Sequence, residues 1–548
     1  MDQDKAAELF LWILTNPDDC EDKKQQLAHA FDHDPETVLR AVKDVADGQS
    51  NNFNPPASQF TALTRTPSSL AELVAIVNDS REQNLRVRAV GSGHSFSDIT
   101  NAQDAVLLDP RTGLNNVLPL DPSILHAGPD PANMIRIQSG IKVADLNAAL
   151  DARNLALINM GAYDGQTISG ALSTGTHGSG AHYGPMADAI LSIVLVSESG
   201  TVYQIEPSIT DAAKFPGHLS EVPTVPVILK QDDDWFSTAK IAMGCLGLIY
   251  SYTLRVTAAF SLSETRKMST WEAVKHTWPP STFDSGKWHY ELLINPYPDT
   301  DKTTYHNCIT VERERLTPPQ VKPRGARLSW FSQLLEQGAV EMSRLLVWYL
   351  NHVPRSSPGA INQALKFLPD YDPPYVDVSH KVFTLGVENT VPAWALELHF
   401  EFEMGTEAGN SKFKAVIDKV LETFRGLAQQ RGWYIAGPIG VRFAKGSDAF
   451  LAPEQAGEGL VTCTVECDML WGIHHDTELL GAIKEEICNG VGEVKTVRVH
   501  WGLDWGFTTA EDVRRWYPDL GKWQAVFREV NKGAMFDNAF TERLKLRE

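Results

Sequence analysis

The segment from Gly91 to Phe96 has the sequence Gly-Ser-Gly-His-Ser-Phe and carries one histidine inside a glycine-rich turn. Four of the six preceding residues, 85–90, are apolar and have strand character, which predicts a strand that leads into the turn. Gly91 and Gly93 can adopt positive φ angles and leave amide N–H groups uncovered by side chains, as a phosphate-binding turn requires. A tight turn with a surface histidine is the alternative. The segment therefore indicates a binding loop for a flat, charged ligand.

A second glycine-rich run at 169–180, Ser-Gly-Ala-Leu-Ser-Thr-Gly-Thr-His-Gly-Ser-Gly, follows in the same predicted domain. Two such loops can bind one long ligand from two sides. Neither has the full dinucleotide-binding spacing with a ribose-binding acid, which disfavours a nicotinamide cofactor. Together the two runs resemble the PCMH-type flavin-binding domain of the vanillyl-alcohol-oxidase superfamily, and specifically its branch of sugar-lactone and alditol oxidases, which includes D-arabinono-1,4-lactone oxidase.

The resemblance implies FAD as the cofactor, bound covalently through the imidazole of His94. The alternative for His94 is a hydrogen bond within its own loop, and His177 can be held structurally without any bond to the cofactor. The resemblance also implies that the first loop binds the pyrophosphate while the second run lies along the flavin. The cofactor contacts expected on this basis are Gly91, Ser92, Gly93, His94, Ser95, Gly140, Gly170, Ala171, Ser173, Gly175, Thr176, His177, Gly178, Ser179 and Ile249.

Motifs near the carboxy terminus extend the resemblance. The run Arg-Val-His-Trp-Gly at 498–502 looks like the family's Arg-x-His-Trp-Gly element, and Gly-Ala-Met-Phe-Asp-Asn at 533–538 resembles its Gly-x-Phe-x-Asn ending. Oxidation of an alcohol needs an acceptor for the hydroxyl proton and positive charge for the reduced flavin. The resemblance implies Arg442, from the family's Glu-x-Arg pair, and His500 in these roles. A surface arginine and a structural histidine stacked on indole are the alternatives.

Two positions depart from the family pattern. Gly440 replaces the glutamate of the Glu-x-Arg pair, and Leu503 replaces the lysine expected after His-Trp-Gly. Losing both charges together is self-consistent, because a lone buried charge is costly. The losses predict a less polar, larger or differently held alcohol. Glu466, a third candidate catalytic residue, and Glu388 are the possible replacement acids.

The resemblance thus implies an oxidase that takes a hydride from a carbon bearing a hydroxyl group and passes the electrons to O2, yielding H2O2. Sugar lactones and alditols are the leading substrates. The alternatives are a bulkier alcohol such as a sterol, a natural-product tailoring step, a dehydrogenase that uses another acceptor, and a catalytically decayed flavoprotein with an interaction role.

Composition limits the classes of protein that the chain can represent. With 548 residues, of which 43% are hydrophobic and 22% charged, it is long enough for two or three packed units. The net charge of −20 disfavours binding to nucleic acid or to an anionic membrane and leaves a small neutral substrate as the expected partner. The residues 1–8 lack the features of a secretory signal, and no apolar run is long enough to span a bilayer. We expect a soluble cytoplasmic or other intracellular protein and leave a homo-oligomer open.

The cysteines do not predict disulfides or a metal site. Six cysteines in so long a chain are too sparse and irregular for a disulfide framework, which favours a reducing compartment. Cys463 and Cys467 precede two histidines, but on a strand the two sulfurs would lie roughly 13 Å apart at about 3.3 Å per residue. The sequence therefore predicts no bound metal.

Strands and helices mix throughout, which predicts an α+β fold. The expected organisation is a two-lobed PCMH-type FAD-binding domain, an α+β substrate (cap) domain and an N-terminal helical extension. A helix is expected to begin at the capping box formed by Ser69 and Glu72, and residues 328–350 predict a helix that is either buried or turned toward a partner or membrane. The predicted units are 1–55, helical extension and linker; 56–258, FAD-binding domain; 259–480, substrate-binding domain; and 481–548, a segment that returns to the flavin site.

Overall fold

The computed structural model describes residues 63–101, 105–120, 130–208, 215–280, 289–298, 304–316, 346–347, 349–367, 374–384, 393–491, 494, 496–504 and 506–548. The predicted N-terminal extension, most of the predicted helix at 328–350 and the candidate acid Glu388 lie outside the described residues.

The strands are β1 (Leu63–Arg65), β2 (Arg86–Ala89), β3 (Ala105–Leu108), β4 (Val117–Leu118), β5 (Met134–Gln138), β6 (Leu155–Ala156), β7 (Ile190–Val196), β8 (Val202–Glu206), β9 (Val227–Gln231), β10 (Leu248–Arg255), β11 (Thr257–Ala258), β12 (Ser261–Thr270), β13 (His289–Ile294), β14 (Asn307–Leu316), β15 (Tyr375–Val378), β16 (Ala393–Phe402), β17 (Ile439–Lys445), β18 (Val461–Leu470) and β19 (Arg498–Val499).

The helices are α1 (Leu70–Glu82), α2 (Val143–Asp151), α3 (Ile168–Ser173), α4 (Asp233–Lys240), α5 (Trp271–Thr277), α6 (Ser357–Phe367), α7 (Ser379–Phe383), α8 (Glu407–Arg431), α9 (Asp476–Cys488), α10 (Ala510–Trp516), α11 (Leu520–Val530) and α12 (Ala539–Arg543). Within the described ranges, none of the helices combines the length and the apolar character that crossing a bilayer requires.

Two sheets form the half of the molecule that contains both glycine-rich runs. Strands β1, β3 and β2 make a parallel sheet in that order. A six-stranded sheet follows in the order β4-β5-β10-β7-β8-β9, antiparallel except for the parallel pair β8 and β9. Its central strand β7 has the sequence Ile-Leu-Ser-Ile-Val-Leu-Val and is almost wholly buried, as expected for a strand that is rich in β-branched residues.

An eight-stranded antiparallel sheet forms the other half, in the order β15-β12-β14-β13-β17-β18-β16-β19. Because side chains alternate between the faces of a sheet, one face is apolar. There Phe413 of α8 packs with its ring centroid 5.6 Å from that of Phe402 and 5.6 Å from that of Phe443. The residues between these positions project to the opposite face, which is strongly charged.

The carboxy-terminal segment returns to the first sheet and the first loop. The amide of Val87 in β2 donates to the carbonyl of Met535 at 2.9 Å, and the amide of Phe96 donates to that of Gly502 at 2.7 Å. The amide group of Asn538 donates to the carbonyls of Ile99 and Asn101, both at 3.0 Å. Residues far apart in sequence therefore complete the loop that carries His94.

Replacing Asn538 with alanine should destabilise the protein by about 2–4 kcal/mol, because the change leaves two backbone carbonyls without their donor and removes the cap of α12. The measurement is the free energy of unfolding of the FAD-loaded protein in urea. Glu82→Ala, at the exposed end of α1, is the control. Equal stability of the two variants would contradict this account.

The α+β fold class is confirmed, and most local predictions of the first half hold. The strand predicted at 85–90 corresponds to β2. Ser69 caps α1 by accepting the amide of Glu72 at 3.2 Å, but the Glu72 carboxylate accepts the amide of Ser68 at 2.7 Å in place of that of Ser69. The predicted domain boundaries remain predictions.

Candidate active site

A cavity of about 420 Å³ lies between the two glycine-rich runs and the charged face of the eight-stranded sheet. Its size is within the usual range for ligand sites, about 300–1,000 Å³. The first loop, the second run, three arginines and four acids of the charged face, and the segment at 500–503 all contribute to its lining. The cavity therefore brings together the residues that the sequence singled out at both ends of the chain.

The first loop presents a row of backbone amides. The amide of Val90 donates to the carbonyl of Leu108 at 2.9 Å, and that of Phe96 is held by Gly502. Between these anchors, the amides of 91–95 donate to no acceptor among the described residues, and all five residues line the cavity. Unpaired N–H groups in a turn are suited to bind an anion such as a phosphate.

The two glycines of this loop serve different purposes. Gly93 has a φ of 70°, in the left-handed region that favours glycine. Gly91 is not among the residues with positive φ, so only Gly93 uses the conformational freedom that both glycines offer. A Cβ on Gly91 would overlap the hydroxyl of Thr167. Glycine at 91 therefore permits close packing of the first loop against the start of the second run.

His94 is half-buried in the lining of the cavity and lies next to Tyr163. The two rings stack with centroids 4.2 Å apart and an interplanar angle of 23°. Burial lowers the pKa of His94 to about 4, so the imidazole is neutral at pH 7 and keeps a lone pair for bond formation. Tyr163 was missed by the sequence analysis, although an aromatic residue between Gly161 and Gly165 was a signal of a loop with a function.

Four predicted residues of the second run line the cavity. They are Gly170, Ser173, Thr176 and His177. Gly170 and Ser173 belong to α3, whose other side is buried. The hydroxyl of Ser169, one residue before Gly170, lies 3.0 Å from that of Tyr252 in β10 and ties α3 to the six-stranded sheet.

The other predicted residues of this run do not line the cavity. Ala171 is on the buried side of α3, 1% exposed. Gly175 has a φ of 84° in the turn that follows α3. A Cβ on Gly178 would overlap Asn159 and the carbonyl of Met160, and the hydroxyl of Ser179 donates to the carbonyl of Tyr290. These residues shape the run and are not part of its inner surface.

Gly140 and Ile249 are likewise outside the lining. The amide of Gly140 donates to the carbonyl of Leu114 at 2.8 Å, and a Cβ there would overlap the carbonyl of Pro110. Ile249 lies in β10, between β5 and β7, and is 9% exposed. Both positions are accounted for by packing among the strands.

His177 belongs to a buried group of histidines and glutamates at the edge of the cavity. Its Nε2 lies 3.0 Å from Oε1 of Glu397 and 3.9 Å from Oε1 of Glu454. His399 lies between the same two carboxylates, with its Nε2 3.6 Å from Glu397 and its Nδ1 3.7 Å from Glu454. Burial raises the pKa of Glu454 to about 8 and lowers that of His399 to about 4.

His500 lines the cavity as a neutral ring. Its Nδ1 accepts the amide of Gly502 at 3.1 Å, which fixes the tautomer with the proton on Nε2. Burial lowers the pKa of His500 to about 3. The ring stacks on His399 with centroids 6.0 Å apart, so its stacking partner in this group is an imidazole and not the indole that the alternative interpretation assumed.

Arg442 lies on the charged face of the eight-stranded sheet and contacts two carboxylates. Its Nε lies 3.2 Å from Oε1 of Glu291, and its guanidinium also pairs with Glu466. Glu291 in turn pairs with Arg313 at 3.2 Å. All four residues line the cavity, so Arg442 belongs to a network of alternating charges and is not an ordinary surface arginine.

The network continues across β14 to β12, the strand next to the edge strand β15. Arg313 pairs with Glu264 at 2.6 Å, and Arg266 pairs with the same carboxylate at 3.1 Å. Burial lowers the pKa of Arg313, but the charges of Glu264 and Glu291 more than offset this and raise it overall. The cross-strand neighbours of Arg442 thus supply charges that no local motif displays, and the expected change in the substrate alcohol remains a prediction.

Gly440 and Glu466 are directly opposite each other in β17 and β18. A Cβ on Gly440 would lie 3.8 Å from Cβ and 4.0 Å from Oε2 of Glu466. The carboxylate of Glu466 is thus beside the position where the family has its own glutamate. Leu503 lines the same cavity and leaves an apolar contact where the family has lysine.

The sequence analysis missed most of the charged lining. Charged residues recur two positions apart on these strands, a spacing that keeps them on one face. This spacing could have indicated the charged lining. Arg88 was also missed; its guanidinium lines the cavity and donates to the carbonyls of Met243 at 2.5 Å and Gly244 at 2.9 Å. The missed lining residues with charged side chains are Arg88, Arg266, Glu291, Arg313, Glu397 and Asp468.

The cysteine pair lies away from this lining. Cys463 and Cys467 are on β18 with 0% exposure, and burial raises the pKa of both thiols. His474 and His475 are exposed after the end of the strand. Neutral buried thiols are poor metal ligands, since the thiolate is the form that binds.

Two family models match the chain in succession. The FAD binding domain matches residues 61–206, and D-arabinono-1,4-lactone oxidase matches residues 252–544. The L-gulono-1,4-lactone dehydrogenase of Mycobacterium tuberculosis is 27% identical over 485 residues, which cover 88% of this chain and 96% of that protein. The L-gulonolactone oxidase of Bos taurus is 24% identical over 486 residues, covering 87% and 94%. The crystal structure of cholesterol oxidase from B. sterolicum has a TM-score of 0.64 with 13% identity, covers 88% of this chain and 93% of that one, and shows a shared fold.

Proposed function

The chain belongs to the D-arabinono-1,4-lactone oxidase family, and from this premise we propose that it oxidises a CH–OH group of a sugar lactone. It is an FAD-dependent oxidoreductase. The observation that carries the proposal is the cavity itself, whose lining combines the first loop, with its unpaired amides, and the charged network around Arg442.

The residues of the cavity fit FAD. The unpaired amides of 91–95 are suited to the pyrophosphate, and the second run offers a surface of small residues beside them. When bound, FAD supplies the acceptor for the hydride that leaves the substrate carbon. The neutral ring of His94 has the lone pair that a covalent bond to the cofactor needs, and the stacking of Tyr163 fixes the ring plane.

The charged network is suited to hold and deprotonate a hydroxyl group. Arg442 offers guanidinium donors to the substrate oxygen, and we assign Glu466 as the acceptor of the hydroxyl proton. Glu291 and Arg313 keep the site close to electrical balance, so that a neutral substrate enters without a net charge to compensate. Such a lining favours a polyhydroxylated lactone or alditol over a sterol, because an apolar ring system would displace water from these charged groups and offer them no hydrogen bonds in return.

We propose O2 as the final electron acceptor, with H2O2 as the product. The related proteins include both an oxidase and a dehydrogenase by name, so the acceptor needs its own measurement. Electrons and protons balance in this reaction. The substrate loses two electrons and two protons, and O2 takes up the two electrons and the two protons to become H2O2.

Anaerobic mixing tests substrate and acceptor separately. We expect L-gulono-1,4-lactone or D-arabinono-1,4-lactone to bleach the flavin absorbance without O2, and air to restore it with one equivalent of H2O2. Cholesterol and an alditol serve as comparison substrates. Bleaching by cholesterol alone would contradict the lactone proposal, and bleaching by a lactone with no recovery in air would contradict the oxidase proposal.

A further inference from the structure

The ring of His177 has hydrogen-bond acceptors at both of its nitrogens. Its Nδ1 lies 2.9 Å from the carbonyl oxygen of Gly178, and its Nε2 lies 3.0 Å from the carboxylate of Glu397. A neutral imidazole has one N–H and one lone pair, whereas the imidazolium has two N–H groups. With a neutral ring, one of these two short contacts would set a lone pair against an oxygen. Burial raises the pKa of Glu397, but the charge and hydrogen bond of His177, together with His399, hold it well below its ordinary value. The carboxylate is therefore an acceptor, and both contacts are satisfied when both nitrogens of His177 carry a proton.

The charged and titratable groups around the ring support the same state. Glu397 of β16 and Glu454 face Nε2, while Arg442 of β17 acts in the opposite sense. The neighbouring rings are His399 and His500, and burial lowers the pKa of both. Burial also lowers the pKa of His177, but the charge and hydrogen bond of Glu397, together with Glu454, raise it overall to about 9.

The other two histidines of the lining differ from His177. His500 accepts a hydrogen bond at Nδ1 and is therefore neutral. Burial lowers the pKa of His94 to about 4, so this ring is neutral as well. Leu503 contributes no charge to the same lining. His177 is thus the cavity histidine whose surroundings require a positive charge.

We propose that His177 is held as an imidazolium by Glu397 and that this cation stabilises the negative charge of the reduced flavin. The proposal rests on the proposed function in one respect, namely that FAD fills this cavity. A fixed positive charge beside a bound flavin favours forms of the ring that carry negative charge, because the low polarity of a buried site strengthens the interaction. His177 then raises the midpoint potential and the affinity for sulfite, which adds to oxidised flavin and leaves it negatively charged.

The principal test compares His177→Gln with His306→Gln, both loaded with FAD. His306 is a matched control because its Nδ1 lies 3.0 Å from a carboxylate of Glu272, outside the cavity lining. We expect His177→Gln to weaken sulfite binding at least tenfold and to lower the midpoint potential, and His306→Gln to change neither. An unchanged sulfite affinity in FAD-loaded His177→Gln would overturn the proposal.

Glu397→Gln adds a test of pH dependence. In the native protein His177 remains protonated between pH 6 and 8, since its pKa lies above this range. Without the carboxylate the pKa of His177 should fall, so the ring loses its proton as the pH rises. We therefore expect sulfite affinity to decrease across this range in Glu397→Gln more steeply than in the native protein. Parallel pH profiles of the two proteins would contradict the role given to Glu397.

A measurement on the native protein covers the case in which the variants fail to fold. Nitrogen NMR of the FAD-loaded protein with ¹⁵N-labelled histidine distinguishes imidazolium from both neutral tautomers. We expect one ring to remain doubly protonated at pH 8, and a spectrum with neutral rings alone would overturn the proposal. A protein that binds no FAD would contradict the proposed function, whereas FAD bound beside a neutral His177 contradicts only this inference.

Discussion

The flavin of the native protein should remain with the pellet after acid precipitation, and the flavin of His94→Ala should pass entirely into the supernatant. The expectation follows from the neutral, half-buried ring of His94, which lies in the cavity between unpaired amides and is stacked on Tyr163. Absorbance of the two fractions measures the distribution directly. Because the variant would hold FAD by non-covalent contacts alone, we also expect it to lose colour on dialysis.

His182→Ala is the control for this experiment, since His182 is an exposed histidine close to the second run. Its flavin should stay with the pellet. Free FAD in the supernatant of the native protein would contradict the covalent bond and reduce His94 to a loop residue. Retention of flavin by the His94→Ala pellet would instead place the bond on another side chain.

Replacing Glu466 with glutamine should slow flavin reduction by the lactone roughly 10²–10⁴-fold, the usual contribution of a general base. The side chain keeps its shape, but its carbonyl oxygen accepts a proton far less readily than the carboxylate does. Anaerobic stopped-flow measurement of the reduction rate isolates this step from reoxidation. Glu478→Gln, an exposed change in α9, should leave the rate unaltered.

The position opposite Glu466 offers a stricter version of this test. A Cβ on Gly440 would make only ordinary contacts at 3.8–4.0 Å, so Gly440→Glu can be combined with Glu466→Gln. If the site needs a carboxylate between β17 and β18, the double variant should recover part of the lost rate. Undiminished turnover in Glu466→Gln alone would remove Glu466 from the mechanism and leave Glu291, which also contacts Arg442, as the next residue to test.

Features that depend on residues close together in the sequence could be predicted from the sequence. The strand before the first loop, the unpaired amides of that loop and the lining residues of the second run all follow from local patterns of glycine and apolar residues. Gly91 shows the limit of local patterns, because the contact that requires a glycine there is with Thr167, two residues before the second run. Spacing within a segment indicates that a glycine is needed, but not which contact requires it.

The charged side of the cavity depends on pairing between distant strands. Glu466 lies beside Gly440 because β18 pairs with β17 in one register, and Glu397 lies opposite Glu466 because β16 pairs with β18. A shift of one residue in either pairing would turn these side chains to the apolar face. The sequence motif shows that a glutamate is missing at position 440. Only the register of the sheet shows that another carboxylate lies beside that position.

The hydrogen bond from Phe96 to Gly502 and those from Asn538 to Ile99 and Asn101 have a consequence for biosynthesis. On the ribosome, the amino-terminal half is synthesised long before residues 502 and 538. Until then, the loop that carries His94 lacks these hydrogen-bond partners. We therefore expect the cofactor site to be completed only after residue 538 has been synthesised. A nascent chain stopped upstream of 502 should bind no flavin and should be cut readily by proteases near His94.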